Sequence, residues 1–157
     1  MCQEVLLLRA LTDCPKCSGR TPVFAMMGLP EFEVDDDPTT LLRRIAALPP
    51  ALDKAMRDFS KGRWRRDQSA KARGAHWHSH CALCAARLGE TFTLGADGPF
   101  QPALYKQRVA IKAMRLPGPL VLDGVQRQFS APMVGWLDWL RQREAKAGAS
   151  KKRRAKT

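Results

Sequence analysis

Two pairs of cysteines constrain this chain more than any other feature of its sequence. Cys14 and Cys17 lie in CPKC, and Cys81 and Cys84 lie in CALC. Two thiolates at this spacing reach one metal ion when the chain turns tightly between them. Because each pair supplies two ligands and a closed tetrahedral site needs four, the pairs together predict one shared site with Zn²⁺ as its metal. A separate site for each pair is the alternative.

Small residues follow each pair, Ser18 and Gly19 after the first and Ala85 and Ala86 after the second. In this respect CPKCSGRTPVF and HCALCAARLGETF resemble the two knuckles of the four-cysteine zinc-ribbon type of module, each running into a strand. The resemblance implies a structural zinc and does not fix a function. Many ribbons have glycine where this chain has Ser18 and Ala85. Compact ribbons also have a shorter spacing than the 63 residues between Cys17 and Cys81, so residues 35–73 are predicted to be an insertion.

Three histidines precede the second cysteine pair, in AHWHSHC. In a strand, His76, His78 and His80 point to one face and Cys81 to the other. This alternation predicts a polar strand surface for the histidines and no ligand role. Two alternatives remain open: a mixed site in which His78 or His80 replaces a cysteine, and a second, open site of three histidines. The open site is the one place where the sequence allows a catalytic metal.

The remaining sequence predicts an α+β fold, a small zinc-ribbon-like β module with an inserted helical hairpin and a C-terminal helix. Apolar spacing predicts helices in TTLLRRIAAL and ALDKAMRDF, which form the hairpin. ARLGETFTLGADGPF predicts a strand hairpin, whereas VLLL and ALYKQRVAIKAM fit strand or helix. Ser130 is the expected N-cap of the last helix. One domain is expected over residues 1–147, followed by a disordered basic tail over 148–157.

Positive charge is concentrated in two short segments. The chain carries 27 Lys and Arg against 15 Asp and Glu, a net charge of +12. Residues 61–73 hold six basic residues against one acidic residue, and residues 148–157 hold five against none. Concentrated positive charge is typical of surfaces that bind polyanions, and an aromatic ring among the cations offers a base a stacking face. The predicted nucleic-acid-binding residues are therefore Lys61, Arg63, Trp64, Arg65, Arg66, Lys71 and Arg73.

A closed four-thiolate site leaves no position for a substrate, and the chain has no GxxxxGK[ST], GxSxG, HExxH or GxGxxG motif. The sequence therefore predicts a non-enzymatic, zinc-binding accessory protein that binds nucleic acid, whether DNA or RNA. The expected partner is nucleic acid or an acidic protein. The alternative function is an adaptor that docks a protein partner through the acidic stretch 31–37 or through Trp136 and Trp139. No apolar run reaches membrane-spanning length, and the expected location is the cytoplasm. The Ala- and Arg-rich composition is typical of a GC-rich bacterial genome.

Overall fold

The computed structural model describes residues 2–29, 40–68, 74–102, 104–120, 122 and 125–154. Eight strands and four helices occur in this part of the chain. In order they are β1 (Cys2–Asp13), β2 (Arg20–Leu29), β3 (Thr40–Arg43), α1 (Pro50–Ser60), β4 (Trp64–Gln68), β5 (Ala75–His80), β6 (Arg87–Leu88), α2 (Glu90–Leu94), α3 (Tyr105–Ala110), β7 (Lys112–Leu120), β8 (Gln126–Phe129) and α4 (Ala131–Arg154). The fold is thus mixed α and β, as predicted.

The strands form two antiparallel sheets. The larger has the order β7-β1-β2-β3-β8, and the smaller has the order β4-β5-β6. Strands β1 and β2 are joined by the turn that holds the first cysteine pair and stay in register from Glu4↔Leu29 to Asp13↔Arg20. The turn between β5 and β6 holds the second pair. Each cysteine pair therefore lies at the tip of its own hairpin.

The larger sheet is covered on both faces. Leu6 and Leu8 of β1 belong to one apolar cluster, which includes Trp136 of α4. Val5 and Leu7 belong to a second cluster on the opposite face; its further members come from α1 and from the smaller sheet and include Leu52, Met56, Trp64 and Trp77. Because both faces of β1 are buried, every position from Val5 to Leu8 is apolar, and the strand has no alternating pattern.

The predicted helical hairpin is wrong. Its second helix exists as α1, but residues 40–43 of the first form strand β3, which pairs with β2 and with β8. Successive Leu41 and Leu42 are both buried, one in each apolar cluster, which a strand allows and one face of a helix does not. Residues 40–68 also supply β4, so this segment contributes a strand to each sheet.

Two shorter predictions differ from the structure, and one open alternative is decided by it. Residues 64–68 lie in the segment 61–73, for which the sequence predicts a loop or a frayed helix end, and they pair with β5 as strand β4. Residues 90–94, expected in a strand, form α2, whose first turn is closed by the bond from Thr93 N–H to the Gly89 carbonyl. The ambiguous segment ALYKQRVAIKAM divides into α3 and the start of β7.

The C-terminal helix is confirmed. Ser130 Oγ accepts a hydrogen bond from the Met133 N–H at 3.4 Å, as an N-cap does. Helix α4 continues to Arg154 and so includes residues 148–154, the larger part of the segment that was expected to be a disordered tail. Residues 155–157 lie outside the described part of the chain.

Candidate metal centre

The two cysteine turns have the same backbone hydrogen bonds. In the first, the Cys14 N–H donates to the Gly19 carbonyl at 2.9 Å, and the Ser18 N–H donates to the Cys14 carbonyl at 2.8 Å. In the second, the Cys81 N–H donates to the Ala86 carbonyl at 2.9 Å, and the Ala85 N–H donates to the Cys81 carbonyl at 3.0 Å. These bonds make each turn tight enough to aim two sulfurs at one point.

The residue after each second cysteine has a left-handed backbone. The φ angles are 56° at Ser18 and 58° at Ala85. Glycine adopts this conformation without steric cost, which is the physical reason for a glycine at this position in many zinc-ribbon knuckles. Ser18 and Ala85 therefore adopt the backbone conformation that glycine adopts without steric cost.

The four sulfurs lie at distances that a tetrahedral metal site allows. Cys14 Sγ lies 3.8 Å from Cys84 Sγ, and Cys17 Sγ lies 3.7 Å from Cys81 Sγ. All four lie within 4.8 Å of one another, and all four cysteines are free thiols. Four sulfurs at about 2.3 Å from a central ion are about 3.8 Å apart, whereas a disulfide needs about 2.05 Å. The cysteines are thus brought together as predicted, in one cluster compatible with a metal ion.

Backbone N–H groups lie close to the sulfurs of the two buried cysteines. The Lys16 N–H lies 3.4 Å from Cys14 Sγ, and the Leu83 N–H lies 3.4 Å from Cys81 Sγ. The N–H groups of Cys84 and Leu83 lower the pKa of the Cys81 thiol to about 6. Such donors disperse the charge of a metal-bound sulfur.

Full ionisation of the four cysteines requires a nearby positive charge. The Gly19 N–H lowers the pKa of Cys17, but desolvation and the three neighbouring thiols outweigh it and raise that pKa to about 11. Four adjacent thiolates repel one another, so without a cation they do not all ionise at neutral pH. A dication at their centre supplies the missing positive charge, and its binding releases the remaining protons.

Thr21 connects the two hairpins beside the cluster. Its side chain is fully buried, and its Oγ1 accepts a hydrogen bond from the Ala82 N–H at 2.9 Å. On the outer side, Leu83 lies over Gly19, where an added methyl group would clash with it. No sequence motif identifies Thr21, because it reaches the second cysteine turn only in the folded chain.

The histidines are buried, so the predicted polar strand surface is wrong. His76, His78 and His80 are 9%, 7% and 2% exposed. In the described part of the chain, the four cysteines are the only group of three or more His, Cys, Asp or Glu side chains that converges as metal ligands do. This speaks against both the three-histidine site and a site in which a histidine replaces a cysteine.

His80 is committed to a hydrogen-bond network. Its Nδ1 lies 3.0 Å from the His78 carbonyl oxygen, and its Nε2 lies 3.1 Å from Asp67 Oδ2. The bond with His80 is the main reason why the pKa of Asp67 lies below its ordinary value. Both ring nitrogens of His80 face oxygen atoms of the protein, so neither is directed at a metal.

His78 has the opposite surroundings. Both of its ring nitrogens are buried, and neither has a hydrogen-bond partner among the described residues. Burial is the largest cause that lowers the pKa of His78, followed by the positive charge of Arg87. His78 is therefore a neutral core residue, and it costs stability because its polar atoms are unsatisfied.

Only some side chains of the basic segment 61–73 are exposed to solvent. Lys61, Arg65 and Arg66 are exposed and Arg63 is half-buried, whereas Lys71 and Arg73 lie outside the described residues. Trp64 is 4% exposed and stacks on Phe24, with ring centroids 6.1 Å apart. Its ring has no free face on which a base could stack, so Trp64 does not belong to the predicted nucleic-acid-binding surface. The acidic stretch 31–37 also lies outside the described residues.

Trp136 is a core residue. It is fully buried, and its Nε1–H donates to the Arg108 carbonyl at 3.1 Å. A partner docking on α4 would therefore meet Trp139, which is half-buried, and not Trp136.

Comparison with known proteins does not assign this chain to a family. No protein-family model matches the chain, no curated protein matches it, and no solved structure matches it. Within the described residues, none of the helices combines the length and the apolarity that crossing a membrane requires.

Proposed function

We propose that this chain is a non-enzymatic, nucleic-acid-binding accessory protein that is stabilised by one structural Zn²⁺ in a zinc-ribbon type of site. The observation that supports the metal is the convergence of the sulfurs of Cys14, Cys17, Cys81 and Cys84 within 4.8 Å of one another. Four thiolates fill the coordination shell of Zn²⁺, so the ion binds no substrate and serves the fold. Iron also binds four thiolates tetrahedrally and is the competing metal.

Metal content tests this site directly. The untagged protein, purified without added metal, is expected to contain one zinc per chain by elemental analysis. Cys14→Ser, Cys17→Ser, Cys81→Ser and Cys84→Ser should each lose it, whereas Cys2→Ser should retain it and serves as the matched control. Cobalt substituted for zinc should give the spectrum of four-thiolate tetrahedral coordination. Two ions per chain, or an ion retained by three of the four serine variants, would contradict a shared site.

Unpaired positive charge supports the nucleic-acid role. Lys61, Arg63 and Arg65 have no carboxylate partner among the described residues, whereas Lys54 and Arg57 of the preceding helix are paired with acids in α1. Arg66 donates to the Ala75 carbonyl and keeps its charge exposed. These side chains follow α1 and line β4, which is an edge strand. Because Trp64 is buried, we propose contacts to phosphates and no base stacking.

Salt dependence tests the nucleic-acid role. If Lys61, Arg65 and Arg66 each neutralise a phosphate, the affinity for a labelled duplex should fall about 40-fold between about 50 mM and about 200 mM salt. The double variant Arg65→Glu/Arg66→Glu should weaken binding and flatten this slope. The matched control Arg9→Glu/Lys112→Glu changes the net charge by the same amount, at exposed positions on the larger sheet. Equal losses in the two variants would mean attraction by net charge alone and would remove β4 from the interface.

A further inference from the structure

Strand β4 and helix α4 lie on opposite faces of the larger sheet. Trp64, the first residue of β4, packs in the apolar cluster that contains Leu7 of β1. Trp136 of α4 packs in the cluster that contains Leu8. Successive residues of a strand point to opposite faces, so the sheet separates β4 from α4. Basic residues on these two elements are therefore presented on different sides of the protein.

The second half of α4 is exposed on all sides. Residues 141–148 are eight consecutive exposed positions, whereas Met133, Trp136 and Leu137 of the first half are buried. A helix that lies against a protein surface buries a position every three or four residues. The second half of α4 therefore extends beyond the face on which the first half packs. At about 1.5 Å per residue, the segment 141–154 is about 20 Å long.

Acidic residues do not balance the charge of this second half. Helix α4 contains two, Asp138 and Glu144. Asp138 is ion-paired with Arg141 at 3.8 Å, and Glu144 is ion-paired with Arg115 of β7 at 2.9 Å. Beyond them, residues 145–154 contain five basic residues and no acidic residue. The positive charge at the end of α4 is therefore not neutralised along the helix.

Arg143 and Lys146 are the described side chains that make the end of α4 a surface for phosphates. Both are exposed, and neither has a carboxylate partner among the described residues. They are three residues apart and so lie on the same side of the helix. Arg143 lies over the ring of Trp139, 5.4 Å from its centroid, a contact that does not neutralise its charge. Unpaired cations of this kind bind the backbone of a nucleic acid without regard to its sequence.

One straight duplex does not reach both basic surfaces. Double-stranded DNA keeps its direction over about 150 base pairs, and bending a short duplex is costly. A duplex that lies along β4 leaves the opposite side of the larger sheet uncovered. The end of α4 is then accessible to a second duplex.

We propose that one chain bridges two nucleic-acid duplexes, the first at β4 and the second at the end of α4. This inference rests on the proposed function, because β4 is the surface assigned there. Both surfaces contact phosphates, so bridging does not depend on base sequence. The added function is to hold two duplexes together.

The test is the capture of a second duplex by the metal-loaded full chain. A DNA duplex of about 30 base pairs, short enough to stay straight, is immobilised and loaded with protein at low salt. Unbound protein is washed away, and a labelled duplex of different sequence is then supplied. The wild-type chain should capture the labelled duplex. Light scattering of the free components should find complexes of one chain with two duplexes.

Three double variants with the same change in net charge locate the two surfaces. They are Arg143→Glu/Lys146→Glu on α4, Arg65→Glu/Arg66→Glu on β4 and the control Arg9→Glu/Lys112→Glu on the larger sheet. The α4 and β4 variants should each bind the immobilised duplex through the surface that remains and should capture the labelled duplex about tenfold less. The control should retain most of the capture. Unchanged melting temperatures show that all three are folded.

A mixture of the α4 and β4 variants separates one bridging chain from two associated chains. If two copies held the duplexes together, one copy could supply β4 and the other α4, and the mixture would recover capture. We expect the mixture to stay as low as each variant alone. Recovery to the wild-type level would overturn the proposal.

The remaining outcomes distinguish this proposal from the proposed function. Binding of the immobilised duplex without capture of a second one would overturn bridging and leave the proposed function intact. No binding of the first duplex would overturn both. If Arg143→Glu/Lys146→Glu captures the duplex as wild type does but loses binding to vesicles rich in phosphatidylserine, the end of α4 belongs to an anionic lipid surface and bridging is wrong.

Discussion

Ser18 and Ala85 hold backbone conformations that L-amino acids adopt at a cost. Their φ angles of 56° and 58° are left-handed, which costs about 1–2 kcal/mol per residue. Glycine removes this cost but loses about 0.5–1 kcal/mol more through chain freedom on folding. We therefore predict that Ser18→Gly and Ala85→Gly each raise the free energy of unfolding by about 0.5–1 kcal/mol. Denaturant unfolding of the metal-loaded protein measures this change.

Ala86→Gly is the matched control for Ala85→Gly. Ala86 is the next residue, packs against the apolar core and has no left-handed φ. Glycine there should lower the free energy of unfolding by about 0.5–1 kcal/mol. If both substitutions shift stability in the same direction, the conformational explanation of the second knuckle is wrong.

His78 gives a prediction with a definite pH dependence. Burial lowers its pKa in the folded protein below the ordinary value of 6.5. Below about pH 6.5 the unfolded chain therefore binds a proton that the folded chain does not, and folded wild-type protein loses stability as the pH falls. His78→Phe removes both this effect and two unsatisfied nitrogens. It should stabilise the protein by about 1 kcal/mol near neutral pH and by more in mild acid.

The difference in unfolding free energy between His78→Phe and wild type, measured from about pH 5.5 to about pH 8, isolates this residue from protonation of the cysteines. A difference that is constant with pH would show that His78 titrates normally in the folded chain. A destabilised variant would mean that its ring nitrogens are satisfied in solution.

At the scale of the elements, the sequence predicted correctly those features that depend on residues close together in the chain. The spacing of the cysteine pairs, the Ser130 cap and the amphipathic α1 are short-range features, and the structure has all three. Pairing between distant strands decided the rest. Leu41, Leu42 and Ile45 fit helical spacing, yet β2 and β8 bind residues 40–43 as a strand. Strand alternation placed the histidines on one face but did not encode what covers that face.

The junction between β2 and the second knuckle supplies the prediction at this scale. Thr21 at the start of β2 accepts the Ala82 N–H, and no other acceptor for that group occurs in the described residues. Thr21→Val keeps the shape of the side chain and leaves this donor unpaired, so it should cost about 1–2 kcal/mol of stability and weaken metal binding. Thr21→Ser retains the hydroxyl and should preserve metal affinity. Competition with a chelator measures that affinity, and equal affinities for Val and Ser variants would contradict the role of this bond.

For the whole molecule, a metal held by the four cysteines would join two parts of unequal stability. The first knuckle belongs to β1 and β2, which are central strands of the larger sheet and are buried on both faces. The second belongs to the three-stranded sheet, in which β6 has two residues. Structural zinc contributes about 10–16 kcal/mol in small zinc-finger peptides. Even a third of that, about 3–5 kcal/mol at about 2–4 °C per kcal/mol, predicts that chelation lowers the melting temperature by about 7–20 °C.

The loss should also be uneven, because β1 and β2 keep their apolar contacts when the metal is removed, whereas the turn between β5 and β6 loses its metal-mediated link to the first cysteine turn. Amide hydrogen exchange of chelated protein should therefore show a large drop in protection at Ser79, His80 and Leu88 and a small one at Leu6 and Met27. Cys2→Ser, treated with the same chelator, should reproduce the wild-type pattern. Equal losses in both sheets would mean that the zinc holds one cooperative unit together, and that the larger sheet cannot fold without it.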